Sequence, residues 1–203
     1  SKLKKELTIV TRSRQIKRKK RKEHEIPTVA LVGYTNAGKS TLLNALTQAG
    51  THTHDGVFTT LDSLSRQTDL PNNRKVIFSD TVGFMHDLPH GLIEAFKATL
   101  EEVQQADLLL HVIDISHANS QYFYRAVNAV LKELGCEDKP TILVCNKIDV
   151  LKDSSALDAM KHDVKNVQVI SAKTGQHIQQ LLLTVEEFFS DGDVKLDVLL
   201  PAN

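Results

Sequence analysis

Gly33-Tyr34-Thr35-Asn36-Ala37-Gly38-Lys39-Ser40 follows the short apolar run Thr28-Val29-Ala30-Leu31-Val32 and leads into an amphipathic stretch that continues to Gln48. A strand, a glycine-bounded loop and a helix are predicted in that order. The spacing GxxxxGK[ST], placed between a strand and a helix, is that of a phosphate-binding loop. Gly33 and Gly38 let backbone N–H groups close around phosphates, Lys39 can reach the β and γ phosphates, and the Ser40 hydroxyl can ligate Mg²⁺. The expected contact set is Gly33, Tyr34, Thr35, Asn36, Ala37, Gly38, Lys39, Ser40 and Thr41.

From Ile26 onward, β-branched apolar runs alternate with amphipathic stretches, the pattern of βαβ units on a parallel sheet. Strands are predicted at 28–32, 108–113, 141–145 and 167–170. Residues 64–70 and 75–80 flank the turn cluster Pro71-Asn72-Asn73-Arg74, so a hairpin should add one antiparallel edge strand. Helices are predicted at 39–48, 91–104, 118–134 (ended by Gly135), 154–162 and 176–189. The last of these carries Ile178, Leu181, Leu182, Val185, Phe188 and Phe189 on one face. The expected fold is a three-layer α/β P-loop domain over residues 27–190, with a six-stranded, mostly parallel sheet. Residues 191–203 begin a further segment in which Val194, Leu196, Val198 and Leu200 alternate as in a strand.

The loop says nucleotide, and Asn146-Lys147-Ile148-Asp149, directly after the strand Ile142-Leu143-Val144-Cys145, chooses the base. A carboxylate at Asp149 can accept two hydrogen bonds, from N1–H and the exocyclic amine of guanine. Adenine lacks that donor pair, and a loss of pairing of this kind is worth a factor of about 10⁴ in specificity. Lys147 would lay its stem along the base plane and Asn146 would brace the loops. Ser171-Ala172-Lys173, after the next strand, fits a backbone N–H at Ala172 aimed at guanine O6. In Asp80-Thr81-Val82-Gly83, Asp80 can hold Mg²⁺ through water and the Gly83 N–H can bind the γ-phosphate. Phe58-Thr59-Thr60-Leu61-Asp62 is the candidate mobile loop, with Thr60 or its rival Thr59 as a Mg²⁺ ligand. Each match falls at the C-terminal end of a strand or in a loop beside it, where open α/β sheets bind ligands.

The 203 residues are 41% hydrophobic and 25% charged, enough for a packed core, and no apolar run reaches ten residues, so no membrane-spanning helix is expected. Cys136 and Cys145 share no metal-ligand spacing and form no disulfide framework, which fits a reducing, cytoplasmic setting. Zero net charge hides an asymmetry: residues 1–26 hold 11 Lys and Arg against 3 Asp and Glu, a net of +8, and the remainder carries −8. Such an arm could touch nucleic-acid phosphate, or be the solvated end of a helical linker. It has no interleaved aromatic residues to stack on bases.

The succession GYTNAGKS, FTTLD, DTVGF, NKID and SAK resembles the translation-factor-related GTPases. Gly33–Leu46, together with Asp80–Leu100, is similar to the HflX family, through the run Phe84…Leu88-Pro89-His90…Glu94-Ala95-Phe96. The resemblance implies Mg²⁺-dependent binding of GTP and GDP, and hydrolysis to GDP and phosphate by a cytoplasmic, monomeric unit. It implies association with the ribosomal large subunit and its rRNA, with ribosome rescue or splitting under stress. It also favours Thr60 over Thr59 and gives Lys39, Thr60 and Gly83 the catalytic roles, with Ser40, Thr60 and Asp80 around the metal. An Obg- or Era-like GTPase, or a ribosome-docking module whose pocket only senses state, is the rival reading.

Phe84 stands where Ras-like enzymes carry a water-orienting glutamine, so slow intrinsic hydrolysis is expected. His86 and His90 lie close by in sequence, and potassium-activated GTPases that resemble this chain carry asparagine at the position of Asn36. A K⁺ ion beside the phosphates is therefore a further candidate cofactor. His52, His54, His86 and His90 otherwise read as surface residues, and His111, inside a strand, as a packed one.

Overall fold

The computed structural model describes residues 26–49, 65–81 and 101–190. Its strands are β1 (Thr28–Val32), β2 (Ser65–Asp69), β3 (Lys75–Asp80), β4 (Leu108–Asp114), β5 (Thr141–Asn146) and β6 (Val167–Val169). Its helices are α1 (Lys39–Ala49), α2 (Ser120–Glu133), α3 (Ser155–Asp163) and α4 (Ile178–Ser190), and residues 101–105 are also helical. The strands form one sheet in the order β2-β3-β1-β4-β5-β6, parallel except for the β2–β3 pair. This is the six-stranded, mostly parallel architecture expected from the alternation of runs.

The strands read as unbroken apolar runs because both faces of the sheet are covered. Period-2 alternation then divides each strand between two helical layers. Val29, Leu31, Leu108, Leu110, Val112, Ile142 and Val144 face α1 and α4, meeting Leu42, Leu46, Leu181 and Val185. Ala30, Val32 and Leu109 face the opposite way against Val127 and Leu131 of α2. Leu143 and Cys145 on that second face pack on Leu157 and Met160 of α3. Both cysteines are free and buried, and burial pushes the Cys145 thiol up to about 12. Among the described residues no helix is long and apolar enough to cross a membrane.

β2 is polar, Ser65-Arg66-Gln67-Thr68-Asp69, as suits an edge strand. Its turn is built by Asn73 at φ 64°, a left-handed conformation that asparagine tolerates, with the Arg74 N–H donating to Asn72 Oδ1 at 2.9 Å. Arg74 also donates to the Phe189 carbonyl, which clasps the hairpin to the end of α4.

Two helices start later than their periodicity suggests. Residues 115–119 are held by local bonds instead of a helical turn: the Asn119 N–H donates to His117 Nδ1 at 3.0 Å and the Ser116 N–H to Asp114 Oδ1 at 3.1 Å. Ahead of α4, Gly175 (φ 80°) and His177 (φ 61°) are left-handed, so the helix cannot begin before Ile178. α2 ends where expected, with Gly135 at φ 64° donating to Lys132 and Cys136 donating to Leu131, a glycine cap.

His111 is fully buried in β4 and stacks on Tyr124. Burial lowers its pKa to about 3, against a smaller opposing effect of the Asn128 side chain. The unfolded chain binds the proton near pH 6.5 and the folded one does not until about pH 3, so stability falls as pH drops through that window. The expected slope from this group is about 1.4 kcal/mol per pH unit. Denaturant midpoints between pH 7 and pH 5 should therefore fall more steeply in the wild type than in His111→Gln; equal slopes would contradict it.

The expectations for residues 1–25, 50–64, 82–100 and 191–203 lie outside the described residues. They include the basic arm, Phe58, Thr59, Thr60, Leu61, Asp62, Val82, Gly83, Phe84, His86 and His90.

Candidate functional site

The parallel register brings the C-terminal ends of β1, β3, β4 and β5 to one edge of the sheet. Leu31 is opposite Asp80, Val32 opposite His111, and Asp114 opposite Asn146. The loop after β1 crosses this edge so closely that a Cβ on Gly33 would lie 2.2 Å from the Val112 carbonyl oxygen. Gly38, at φ 96°, is equally constrained: a Cβ there would lie 2.4 Å from Asn146 Nδ2. Glycine is required at both ends of the loop by the strands and side chains beneath it.

Between them the chain turns with the Ala37 N–H donating to the Tyr34 carbonyl, and Asn36 adopts φ 60° on the exposed side. That left-handed conformation is itself a reason for asparagine at position 36. The first α1 bond runs from the Leu42 N–H to the Gly38 carbonyl at 2.8 Å, leaving the preceding N–H groups to an outside acceptor. No acidic side chain in the first turn neutralises the positive end of the helix dipole there. The Lys39 ammonium is buried and held by the Gly33 and Tyr34 carbonyls, at 3.1 and 3.0 Å. Burial lowers its pKa, against a smaller opposing pull from Asp80. An anion in the loop would stabilise the charged form of Lys39.

Ser40 donates its hydroxyl to Asp80 Oδ2 at 2.5 Å. Burial raises the Asp80 carboxyl above its ordinary range, although Ser40, Lys39 and the Thr81 backbone favour its charged form, and among the described residues its buried Oδ1 has no hydrogen-bond partner. A hydroxyl beside an orphaned carboxylate oxygen, next to an ammonium and a helix N-terminus, is a donor set that suits a hard divalent cation with phosphate. Thr81 uses its hydroxyl otherwise, donating to the Leu31 carbonyl at 2.6 Å and locking β3 to β1.

The base-side motifs converge on Asn146. Its buried amide donates to the Ala37 carbonyl at 2.9 Å and accepts the Ala172 N–H at 2.9 Å, so one side chain joins the loops after β1, β5 and β6. The Ala172 N–H, expected to face guanine O6, is thus engaged by Asn146 in this structure. Asp149 is exposed in the 3₁₀ turn Ile148–Val150, and its Oδ1 accepts the buried Ser171 hydroxyl at 2.7 Å. Lys147 precedes that turn at φ 68° and pairs with Asp114 at 2.8 Å. Thr41 and Lys173 are exposed at the rim.

Two side chains without a motif lie in the same neighbourhood. Asp114 holds the Lys147 ammonium, and Phe123 of α2 stacks on Tyr34 with ring centroids 4.2 Å apart. Neither is visible from local spacing, because the partners are separated by 33 and 89 positions along the chain.

The profile of the 50S ribosome-binding GTPase family matches residues 28–147. The chain is 45% identical over 202 residues to GTPase HflX of Magnetococcus marinus, covering 100% of itself and 46% of that protein. It is 44% identical over 193 residues to GTPase HflX of Escherichia coli, covering 95% and 45%. It therefore spans less than half the length of these curated relatives. Among solved structures, a GTP-binding protein from Sulfolobus solfataricus in complex with GDP superposes with a TM-score of 0.65 at 28% identity, over 91% of this chain and 60% of that one. A single-residue variant of Aquifex aeolicus Era, bound to GDP and tetrafluoroaluminate, superposes with a TM-score of 0.62 at 25% identity, over 83% and 58%.

Proposed function

The chain belongs to the 50S ribosome-binding GTPase family, among its HflX members, and from that premise we propose that it is a Mg²⁺-dependent guanine-nucleotide switch that docks on the ribosomal large subunit in the cytoplasm. The observation that carries this reading is the Asn146 side chain, which ties the phosphate loop at Ala37 to the base-reading loop at Ala172. One buried amide thereby couples the two halves of a nucleotide pocket.

In this reading the α1 N-terminus and the loop N–H groups bind the phosphates, and Lys39 supplies a desolvated positive charge. Ser40 and Asp80, with Thr60 from outside the described residues, would hold Mg²⁺, and a divalent ion there would supply positive charge against the phosphates. Gly83 gives its N–H to the γ-phosphate. Asp149 reads the guanine edge and Lys147 covers its face; the Ala172 N–H, already held by Asn146, is not assigned to O6. Phe84 cannot orient water, so hydrolysis is slow until another group completes the site. The basic arm of residues 1–26 adds phosphate contacts to rRNA, so subunit affinity falls steeply with salt. Rescue or splitting of stalled ribosomes is the role this docking serves.

We assign Asn36 to a K⁺ ion beside the phosphates, since its side chain sits exposed on the loop that faces them. A cation there supplies charge where an arginine finger acts, which is worth about 10³–10⁵ in rate. The test is phosphate release from GTP at constant ionic strength in KCl and in NaCl, with and without large subunits. Faster release in KCl, lost in Asn36→Ala, is the expected result. Equal rates in both salts with strong stimulation by subunits would move the missing group to the ribosome. No release under any of these conditions would refute the hydrolytic reading.

A further inference from the structure

We propose that Asp114 is a positioning residue of the base pocket: through its ion pair it sets the place of Lys147 before a nucleotide arrives. The proposal rests on the guanine-nucleotide reading above and adds to it a residue outside the nucleotide motifs. Asp114 ends β4 directly opposite Asn146 in the sheet register, one residue before Lys147 on the neighbouring strand. Its two oxygens have separate tasks. Oδ1 accepts the Ser116 N–H at 3.1 Å and the Ser116 hydroxyl at 2.5 Å, which fixes the rotamer. Oδ2 is thereby aimed at Lys147 Nζ, 2.8 Å away.

Lys147 needs such a hold. Its backbone is left-handed at φ 68°, a conformation that a residue with a Cβ keeps only when its surroundings enforce it. Its stem runs past the phosphate loop, with Cε 4.0 Å from where a Cβ on Gly38 would stand. A lysine stem carries large rotamer freedom, and ordering it in advance removes that loss from the binding step. Burial pushes the Asp114 carboxyl upward, yet the bonds from Lys147 and Ser116 outweigh it and hold the group below its usual range. Asp114 is thus a carboxylate at neutral pH in this ion pair. Its side chains are 35% and 19% exposed, so it is only partly desolvated and its effect is moderate.

Asp114→Asn separates the two tasks, because an amide oxygen still accepts from Ser116 while the anion facing Lys147 is gone. Lys147→Met keeps the stem and removes the ammonium. GDP affinity, thermal midpoint and saturating GTP turnover are measured for the wild type, both variants and the double variant. Each single variant is expected to weaken GDP by about five- to twentyfold, and Asp114→Asn, which removes no group assigned to the nucleotide, to keep turnover at saturation within about twofold. The double variant is expected to be no weaker than the worse single one, since both remove one contact. Losses that multiply in the double variant overturn the proposal, as does wild-type affinity in Lys147→Met, which leaves the Ser116 turn intact should Asp114→Asn fold poorly. Guanine binding by the wild type with unchanged affinity in both variants refutes the positioning role alone. A wild type that binds no guanine nucleotide refutes the underlying reading as well.

Discussion

Asp149→Asn should weaken GDP and GTP by about 10²–10³-fold and turn the pocket toward xanthine nucleotides. The carboxylate accepts the Ser171 hydroxyl through Oδ1, and Asp149 is otherwise open to solvent, free to meet a base edge. An asparagine can keep the Ser171 bond with its amide oxygen. Its NH₂ then confronts the N1–H and amine of guanine, donor against donor, whereas xanthine offers a carbonyl at the same position. Exposure of the group places the effect below the full range for a buried polar mismatch. Displacement of a fluorescent GDP analogue by GDP and by xanthosine diphosphate, in wild type and variant, reads both halves of this expectation. An unchanged preference for GDP in the variant would show that Asp149 does not face the base.

Gly38→Ala and Gly33→Ala should fail in different ways, although both glycines flank the same loop. At Gly38 the new methyl group would lie 2.4 Å from Asn146 Nδ2, so Asn146 must surrender its bonds to Ala37 and Ala172. Two lost hydrogen bonds and a strained φ of 96° amount to about 10²-fold or more in nucleotide affinity. At Gly33 the obstacle is the Val112 backbone carbonyl, 2.2 Å away in the middle of the sheet edge. Relief there requires β1 and β4 to part, with a stability loss of about 3 kcal/mol or more. Urea midpoints and GDP titrations on both variants separate the outcomes. Tight GDP binding by Gly38→Ala would contradict the role given to Asn146.

The sheet was readable from the sequence because both its faces are covered, so strands such as Leu108–Asp114 stand out as apolar runs between amphipathic stretches. The antiparallel edge was readable because Pro71-Asn72-Asn73-Arg74 carries turn chemistry of its own. Helix starts were less so. Ala118 and Asn119 were expected in the helix that follows β4, but the Asn119 N–H is taken by His117 Nδ1 and the helix starts at Ser120. For the candidate site, the motifs pointed to Lys39, Ser40, Asp80, Asn146 and Asp149, since each stands at a fixed offset in a contiguous segment. What they could not give is how those segments meet. That Gly38 must be bare because Asn146 lies over it, and that Lys147 is pinned by Asp114, are facts of three-dimensional register. Asn36 shows the converse: its identity was read as side-chain chemistry, and its left-handed backbone supplies a second reason for the same residue.

The measurement that decides whether this is a guanine-nucleotide pocket is competition for a bound fluorescent GDP analogue in the presence of Mg²⁺. GTP and GDP should displace the analogue at comparable, low concentrations, and ATP and ADP should fail to displace it even in large excess. Displacement by ATP as effective as by GTP would contradict the assignment of Asn146, Lys147 and Asp149 to the base.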